Sequence, residues 1–205
     1  MQGLYLVTDR TLCGDRSVQA VVTQAVQGGV SSVQLREKQL GTRQFVEEAQ
    51  ALKSALSPYN VPLIINDRID VALAVDAEGV HIGQSDMPYA LARRLMGPDA
   101  IIGLSVETMD EVIEAEDFDV AYLGVSPIFE TPTKTDTKGS WGLDGLRQVR
   151  SRSRHPLVAI GGLNAINMQS VIQAGADSVA VVSAICAATD PQQAARTLNA
   201  LIQNL

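Results

Sequence analysis

The sequence predicts an α/β fold, a single-domain (β/α)8 TIM barrel, on three observations. Short apolar runs recur along the chain, each followed by an amphipathic stretch of helical period. The runs are continuous rather than alternating, which marks parallel strands covered by helices. Eight such units can be counted, the number that closes a sheet on itself. A doubly wound open sheet is the competing arrangement, but it usually needs fewer strands. At about 26 residues per unit the chain lies near the small limit of the barrel. No linker interrupts residues 1–205, so one barrel domain is expected over the whole length.

The elements follow in order. A first strand, Leu4–Asp9, leads through a polar loop to a helix over Ser17–Gln27, which Gly28-Gly29 ends as a C-cap. Strand two is Ser31–Glu37. Its helix is Thr42–Leu56, with Thr42 as the expected N-cap and Pro58 beyond the end. Strand three, Pro62–Asp67, carries the run Leu63-Ile64-Ile65 and precedes a short helix at Ile69–Val75. Strand four is Gly79–Gly83, and its helix starts near Met87-Pro88, proline being favoured in a first turn. Strand five, Ala100–Val106, and a helix from Thr108 to Ala115 come next. Strand six, Val120–Ser126, runs into the longest irregular segment, Pro127–Trp141. Helix Leu143–Arg152, strand Leu157–Gly161, helix Ala165–Gln173, strand Ser178–Ser183 and helix Pro191–Gln203 complete eight pairs.

Composition narrows the function classes. With 46% hydrophobic and 19% charged residues, the chain suits a soluble domain with a sizeable core. Its apolar runs are too short to span a bilayer. Met1-Gln2-Gly3 leads straight into a strand, so no secretory leader is expected. Cys13 and Cys186, far apart, read as free thiols of a reducing cytoplasm rather than a disulfide framework. No Cys/His pair has zinc spacing. A net charge of −7 and 4% aromatics weigh against nucleic acid as a partner. His81 lies inside strand four and is expected to fill or line the barrel; His155, before Pro156, is expected in an exposed loop.

In this fold active sites sit at the carboxyl ends of the strands. Strand two is the stretch the site is read from. Val33 and Leu35 share one face, while Gln34, Arg36 and Lys38 share the other, since strand side chains alternate. Two cations on one face are either a solvated rim or an anion site. Strand three presents Asn66 and Asp67, and strand four leads into Gln84-Ser85-Asp86. Strand five presents Ser105, strand six leads into Thr131-Pro132-Thr133-Lys134, strand seven ends in Gly161-Gly162 and strand eight in Val182-Ser183. Gly161-Gly162 allows backbone N–H groups to approach a phosphate; a tight turn that simply needs glycine is the alternative. Asp67 and Asp86, from neighbouring strand ends, can share one Mg²⁺, which commonly takes one or two carboxylates and completes its shell with water and phosphate; helix capping is the alternative for each. Arg36, Lys38 and Lys134 added to such a metal suit a departing diphosphate better than a single monophosphate. The Thr-rich loop around Lys134 has the make-up of a lid. No nucleophile stands beside a general base.

Together, Gln34-Leu35-Arg36-Glu37-Lys38, Ile65-Asn66-Asp67, His81-Ile82-Gly83-Gln84-Ser85-Asp86, Thr131-Pro132-Thr133-Lys134 and Ile160-Gly161-Gly162 resemble the thiamine-phosphate synthase family, in register along nearly the whole chain. The resemblance implies a transferase of thiamine biosynthesis. It would condense hydroxymethylpyrimidine diphosphate with a thiazole phosphate to thiamine phosphate and pyrophosphate, with CO₂ from a carboxylated thiazole. It implies pyrimidine-diphosphate contacts from the stretch Gln34, Leu35, Arg36, Glu37 and Lys38, and from Asn66, Ser105 and Lys134. Among these, Arg36, Lys38, Ser105 and Lys134 would be catalytic. It implies Mg²⁺ on Asp67 and Asp86, and thiazole-phosphate contacts from Thr131, Pro132, Thr133, Gly162, Val182 and Ser183. Related enzymes are often small oligomers, so a homo-oligomer is within what the resemblance implies. A thiazole tautomerase on the same barrel carries a catalytic His after strand five; Ser105–Met109 has none here, and Thr131–Lys134 is intact. A non-catalytic barrel that only binds thiazole phosphate is the third reading.

Overall fold

The computed structural model describes residues 3–131 and 139–203. Its strands are β1 (Gly3–Val7), β2 (Val30–Leu35), β3 (Leu63–Asn66), β4 (Gly79–Ile82), β5 (Ile101–Val106), β6 (Tyr122–Val125), β7 (Leu157–Ile160) and β8 (Ser178–Val181). They pair in parallel in sequence order and close as a barrel. The closing seam joins β1 to β8, with Gly3 opposite Ser178 and Leu6 opposite Val181. The Ser178 hydroxyl strengthens it by donating to the Gly3 carbonyl at 2.6 Å.

The helices are α1 (Val18–Gln27), α2 (Thr42–Leu56), α3 (Ile69–Ala74), α4 (Tyr89–Met96), α5 (Met109–Ala115), α6 (Gly142–Arg152), α7 (Met168–Gln173), α8 (Ser183–Cys186) and α9 (Pro191–Gln203). Their starts are written in local chemistry. Ser17 accepts from the Ala20 N–H to cap α1, and Thr108 and Glu111 cap α5 reciprocally as a capping box. Two expectations shift. Gly41, not Thr42, occupies the N-cap of α2. The chain also has a helix that the eight-pair reading lacks, the single turn α8 directly after β8.

Two apolar layers hold the barrel. The outer layer, between strands and helices, takes Val33 and Leu35 from β2, Phe45 and Leu52 from α2, and Val21 and Val22 from α1. Full burial of each such side chain stabilises by roughly 1.5–3 kcal/mol. A smaller inner layer of Tyr5, Val7, Ile64, Tyr122, Val158 and Ala180 plugs the barrel. Period-2 alternation assigns residues to these layers, so Leu35 goes out and Gln34 goes in.

The seam is also tied by side chains. Arg16 Nη1 donates to the Ala188 carbonyl at 2.6 Å, Nη2 to the Cys186 carbonyl at 2.8 Å and Nε to the Cys13 carbonyl at 3.1 Å. One guanidinium thus binds the loop after β1 to the end of α8. Cys13 and Cys186 meet there as buried free thiols. Their mutual hydrogen bond pulls the Cys13 thiol down and pushes Cys186 up. His155 is buried rather than exposed: it donates Nε2–H to the Ala115 carbonyl at 3.0 Å, closing the end of α5. Among the described residues no helix is long and apolar enough to cross a membrane.

Candidate active site

A cavity of about 550 Å³ opens at the carboxyl ends of the strands, within the ordinary range for small-molecule sites. β2 supplies Gln34 and the segment just after it Arg36 and Lys38; β3 supplies Asn66 and the residue after it, Asp67; β4 and its loop supply His81, Gln84 and Asp86; β5 supplies Ser105. Thr131, Gly162, Val182 and Ser183 line the same space from the far side. Leu35 and Glu37 do not. The strand expected to run to Glu37 ends at Leu35, yet side chains keep alternating in direction just beyond it: Leu35 packs under the helices, and Glu37 pairs with Arg10 at 3.3 Å. Any contact from these two to a ligand in the cavity would have to come from backbone. Pro132, Thr133 and Lys134 lie outside the described residues.

Asp67 and Asp86 come together on one rim. Lys38 Nζ bonds Asp67 Oδ2 at 2.6 Å, and the Gly83 N–H donates to Asp86 Oδ2 at 2.7 Å. Burial, and then the neighbouring Asp67 carboxylate, push the Asp86 carboxyl up. Neither aspartate caps a helix: the N-cap positions of α3 and α4 are Arg68 and Pro88, without side-chain capping bonds. Asp67 also holds a left-handed backbone, φ 61°, which is uncommon for a residue with a side chain and tends to mark functional positions. The pair is therefore two neighbouring carboxylates on the cavity wall, each with one structural partner, Lys38 or the Gly83 N–H, and oxygen donors of this kind suit a hard cation. Among the described residues no group of three or more His, Cys, Asp or Glu could hold a metal, so a bound ion would complete its shell from water or substrate.

The charge count sharpens this. The described lining holds Arg36 and Lys38 together with Asp67, Asp86, Glu107 and Glu111. Two cations against four carboxylates do not by themselves attract a polyanion. Glu111 is engaged, accepting from the Glu107 and Thr108 N–H groups at 2.6 and 3.2 Å. Its capping-box spacing explains it locally and concealed its place on the cavity wall.

Opposite the aspartates, Gly161 and Gly162 take φ of +107° and +66°. A Cβ on Gly161 would sit 2.6 Å from Pro127 Cβ, and one on Gly162 would sit 2.9 Å from the Glu130 carbonyl oxygen. The turn needs glycine for its own sake. The helix beyond starts only at Met168, so its N-terminus is not at Gly162. The helix that does start at the cavity wall is α8, at Ser183, and its first N–H groups have no intrahelical acceptor.

Below the charged rim lies a polar floor missed in the sequence. Gln34 Nε2 donates to the Tyr5 hydroxyl at 3.0 Å, Tyr5 meets the Tyr122 hydroxyl at 2.9 Å, Tyr122 meets His81 Nδ1 at 3.0 Å, and His81 Nε2 meets Ser105 Oγ at 2.8 Å. Tyr5 and Tyr122 are 117 positions apart, so only barrel closure joins them. The available signal was a tyrosine at an inward position of each of two apolar strands.

A closed parallel barrel with a charged cavity at the carboxyl ends of its strands is the architecture of a (β/α)8 enzyme. The family model described as thiamine monophosphate synthase matches residues 4–185. The thiamine-phosphate synthase of Albidiferax ferrireducens is 60% identical over 199 residues, 97% of this chain and 91% of its own. That of Vibrio parahaemolyticus is 51% identical over 203 residues, 97% of each chain. The solved thiamine phosphate pyrophosphorylase of Pyrococcus furiosus superposes with a TM-score of 0.90 at 37% identity, covering 98% of this chain and 96% of that one. The chain belongs to the thiamine monophosphate synthase family.

Proposed function

We propose that the chain condenses 4-amino-2-methyl-5-hydroxymethylpyrimidine diphosphate with a thiazole phosphate, or its carboxylated form, to give thiamine phosphate and pyrophosphate. The observation that carries the reading is the convergence of Arg36, Lys38, Asp67 and Asp86 on one rim of a cavity whose opposite wall is Gly162, Val182 and Ser183. Two anionic substrates need two anion sites facing each other across the reacting atoms, and this cavity has room for both. Membership of the family supports this choice of substrates.

Asp67 and Asp86 would hold Mg²⁺, which when bound neutralises diphosphate charge. The excess of carboxylates over cations in the described lining supports that requirement. Arg36 has no hydrogen-bond or ion-pair partner for its guanidinium among the described residues. It would take diphosphate oxygens, with Lys38 beside it and Lys134 from the loop after β6. Gln34, Asn66 and Ser105 would orient the pyrimidine. Thr131, Pro132, Thr133, Gly162, Val182 and Ser183 would hold the thiazole phosphate. The methylene C–O bond breaks with its electron pair leaving on pyrophosphate, and the thiazole nitrogen lone pair forms the new C–N bond. The residues supply charge and position rather than a base, which suits a leaving group already ionised.

The test measures pyrophosphate release with the two substrates together and apart, with Mg²⁺ or with chelator. Release that needs both substrates and the metal is the expected result. Metal-independent rearrangement of the thiazole phosphate alone would identify a tautomerase, and binding without turnover a binding protein. Asp67→Ala and Lys134→Ala should each lose most turnover while keeping the fold; near-full turnover in both would overturn the site assignment.

A further inference from the structure

The polar floor of the cavity has a direction. Each hydroxyl in the chain from Gln34 to Ser105 carries one proton, and a neutral imidazole carries one on only one nitrogen. Gln34 Nε2 has protons only to give, and it gives one to Tyr5. Tyr5, accepting from Gln34, places its own proton on Tyr122, its other partner, at 2.9 Å. Tyr122 in turn places its proton on the one remaining neighbour, His81 Nδ1. His81 then bears its proton on Nε2 and donates it to Ser105 Oγ at 2.8 Å. The hydroxyl proton of Ser105 is left to point into the cavity. Any reversal at a single link would leave a buried hydroxyl proton without an acceptor, an arrangement folded proteins avoid.

The fold protects this order. Both phenols are fully buried, and burial pushes both upward from the usual tyrosine range, so neither gives up its proton. The His81 ring is stacked on Tyr122 with centroids 5.5 Å apart and planes 19° apart. Space for the pair comes from Gly103 and Gly124, whose added Cβ atoms would fall 2.6 Å from His81 Nδ1 and 2.9 Å from His81 Cε1.

We infer that His81 is a positioning residue held as the neutral Nε2–H tautomer, and that through it Ser105 is fixed as a hydrogen-bond donor to the ligand while Gln34, whose Nε2 is turned to Tyr5 by one of its two N–H groups, leaves its carbonyl oxygen to accept from the ligand. The two ends of the relay therefore have opposite polarity. They select a ring that presents an acceptor to Ser105 and an N–H donor to Gln34, as an aminopyrimidine does. The choice of that ring rests on the function proposed above; the tautomer does not.

The tautomer is read directly in ligand-free, full-length protein labelled with ¹⁵N-histidine, by long-range ¹H–¹⁵N correlation at neutral pH. The chain has two histidines, and His155→Gln removes the other signal. An Nε2–H pattern for His81 is expected; an Nδ1–H or imidazolium pattern overturns the inference whether or not the protein turns over substrate. Kinetics give the second readout. His81→Asn reaches only to the Nδ1 position and should lower kcat/KM for the pyrimidine diphosphate by about tenfold or more. His81→Gln, which can place an N–H near the Nε2 position, should recover most of that loss. Equal losses in the two folded variants would make His81 a merely structural residue and refute the positioning role.

Discussion

Replacing Gly103 by alanine adds one methyl group against the Tyr122–His81 pair inside the barrel. Its Cβ would lie 2.1 Å from Tyr122 Cζ, 2.4 Å from the Tyr122 hydroxyl oxygen and 2.6 Å from His81 Nδ1. Regaining a carbon–carbon contact of about 3.5 Å requires the ring to withdraw by about 1.4 Å. Tyr122 is held by hydroxyl contacts of 2.9 Å to Tyr5 and 3.0 Å to His81, and a shift of that size carries it out of reach of one or both. Overpacking of this kind costs about 1–3 kcal/mol, and each buried group left unpaired another 1–3. A total loss of about 3–5 kcal/mol is expected, a large share of the roughly 5–15 kcal/mol that stabilises a domain. Urea unfolding followed by circular dichroism measures it as a fall in midpoint at constant slope. Tyr122→Leu removes the far edge of the ring, so the double variant should cost at least about 1 kcal/mol less than the sum of the two single changes. A loss below about 1 kcal/mol for Gly103→Ala, or strict additivity with Tyr122→Leu, would refute the steric reasoning.

Three further outcomes follow from the same geometry. Asp86→Asn removes a half-buried charge crowded by Asp67, so Tm at pH 7 should hold or rise, while the Mg²⁺ concentration needed for half-maximal pyrophosphate release should increase about tenfold or more; an unchanged Mg²⁺ dependence would remove Asp86 from the metal site. Glu37 is pushed up to about 6, chiefly by burial and then by Glu48, so ionising it costs stability as pH rises from about 4.5 through 6; Glu37→Gln should be more stable than the parent by on the order of 1 kcal/mol at pH 8 and equal to it at pH 4.5, and a gain at acid pH would reverse the assignment. Arg16→Met leaves the Cys13, Cys186 and Ala188 carbonyls without their shared donor and should cost about 2–3 kcal/mol in chemical denaturation, together with a raised KM for the thiazole phosphate because α8 carries Ser183; a change in neither quantity would show that the clamp does not hold α8.

The barrel was legible because each strand is a continuous apolar run between helix signals, and that pattern survives without tertiary information. What it left out was short or distant. A single helical turn such as Ser183–Cys186 has no period to detect, and its apolar Ala184-Ile185-Cys186 continues the run of β8. His155 looked exposed beside Pro156 because the carbonyl it reaches, at Ala115, belongs to another unit. In the site, alternation along β2 placed Gln34, Arg36 and Lys38 on the cavity, and the same rule already sent Leu35 and Glu37 away from it. The aspartates were ambiguous between capping and metal binding, because a carboxylate before a helix suits both. The structure removes the capping role, since the N-cap positions are Arg68 and Pro88 without side-chain capping bonds. The relay from Gln34 to Ser105 was invisible because each of its links joins a different pair of strands.

The seam between β1 and β8 has a consequence for a chain made from one end. β1 is made before the other seven strands, and its second neighbour, Ser178–Val181, is made after all of them. For most of synthesis one edge of β1 is an unsatisfied row of backbone donors and acceptors, able to recruit a stray strand. Arg16 must likewise wait for the carbonyls of Cys186 and Ala188. Nascent chains stalled before about residue 178 should thus be open, sticky crescents that depend on chaperones, and emergence of β8 with α8 should convert them into closed, protease-resistant barrels.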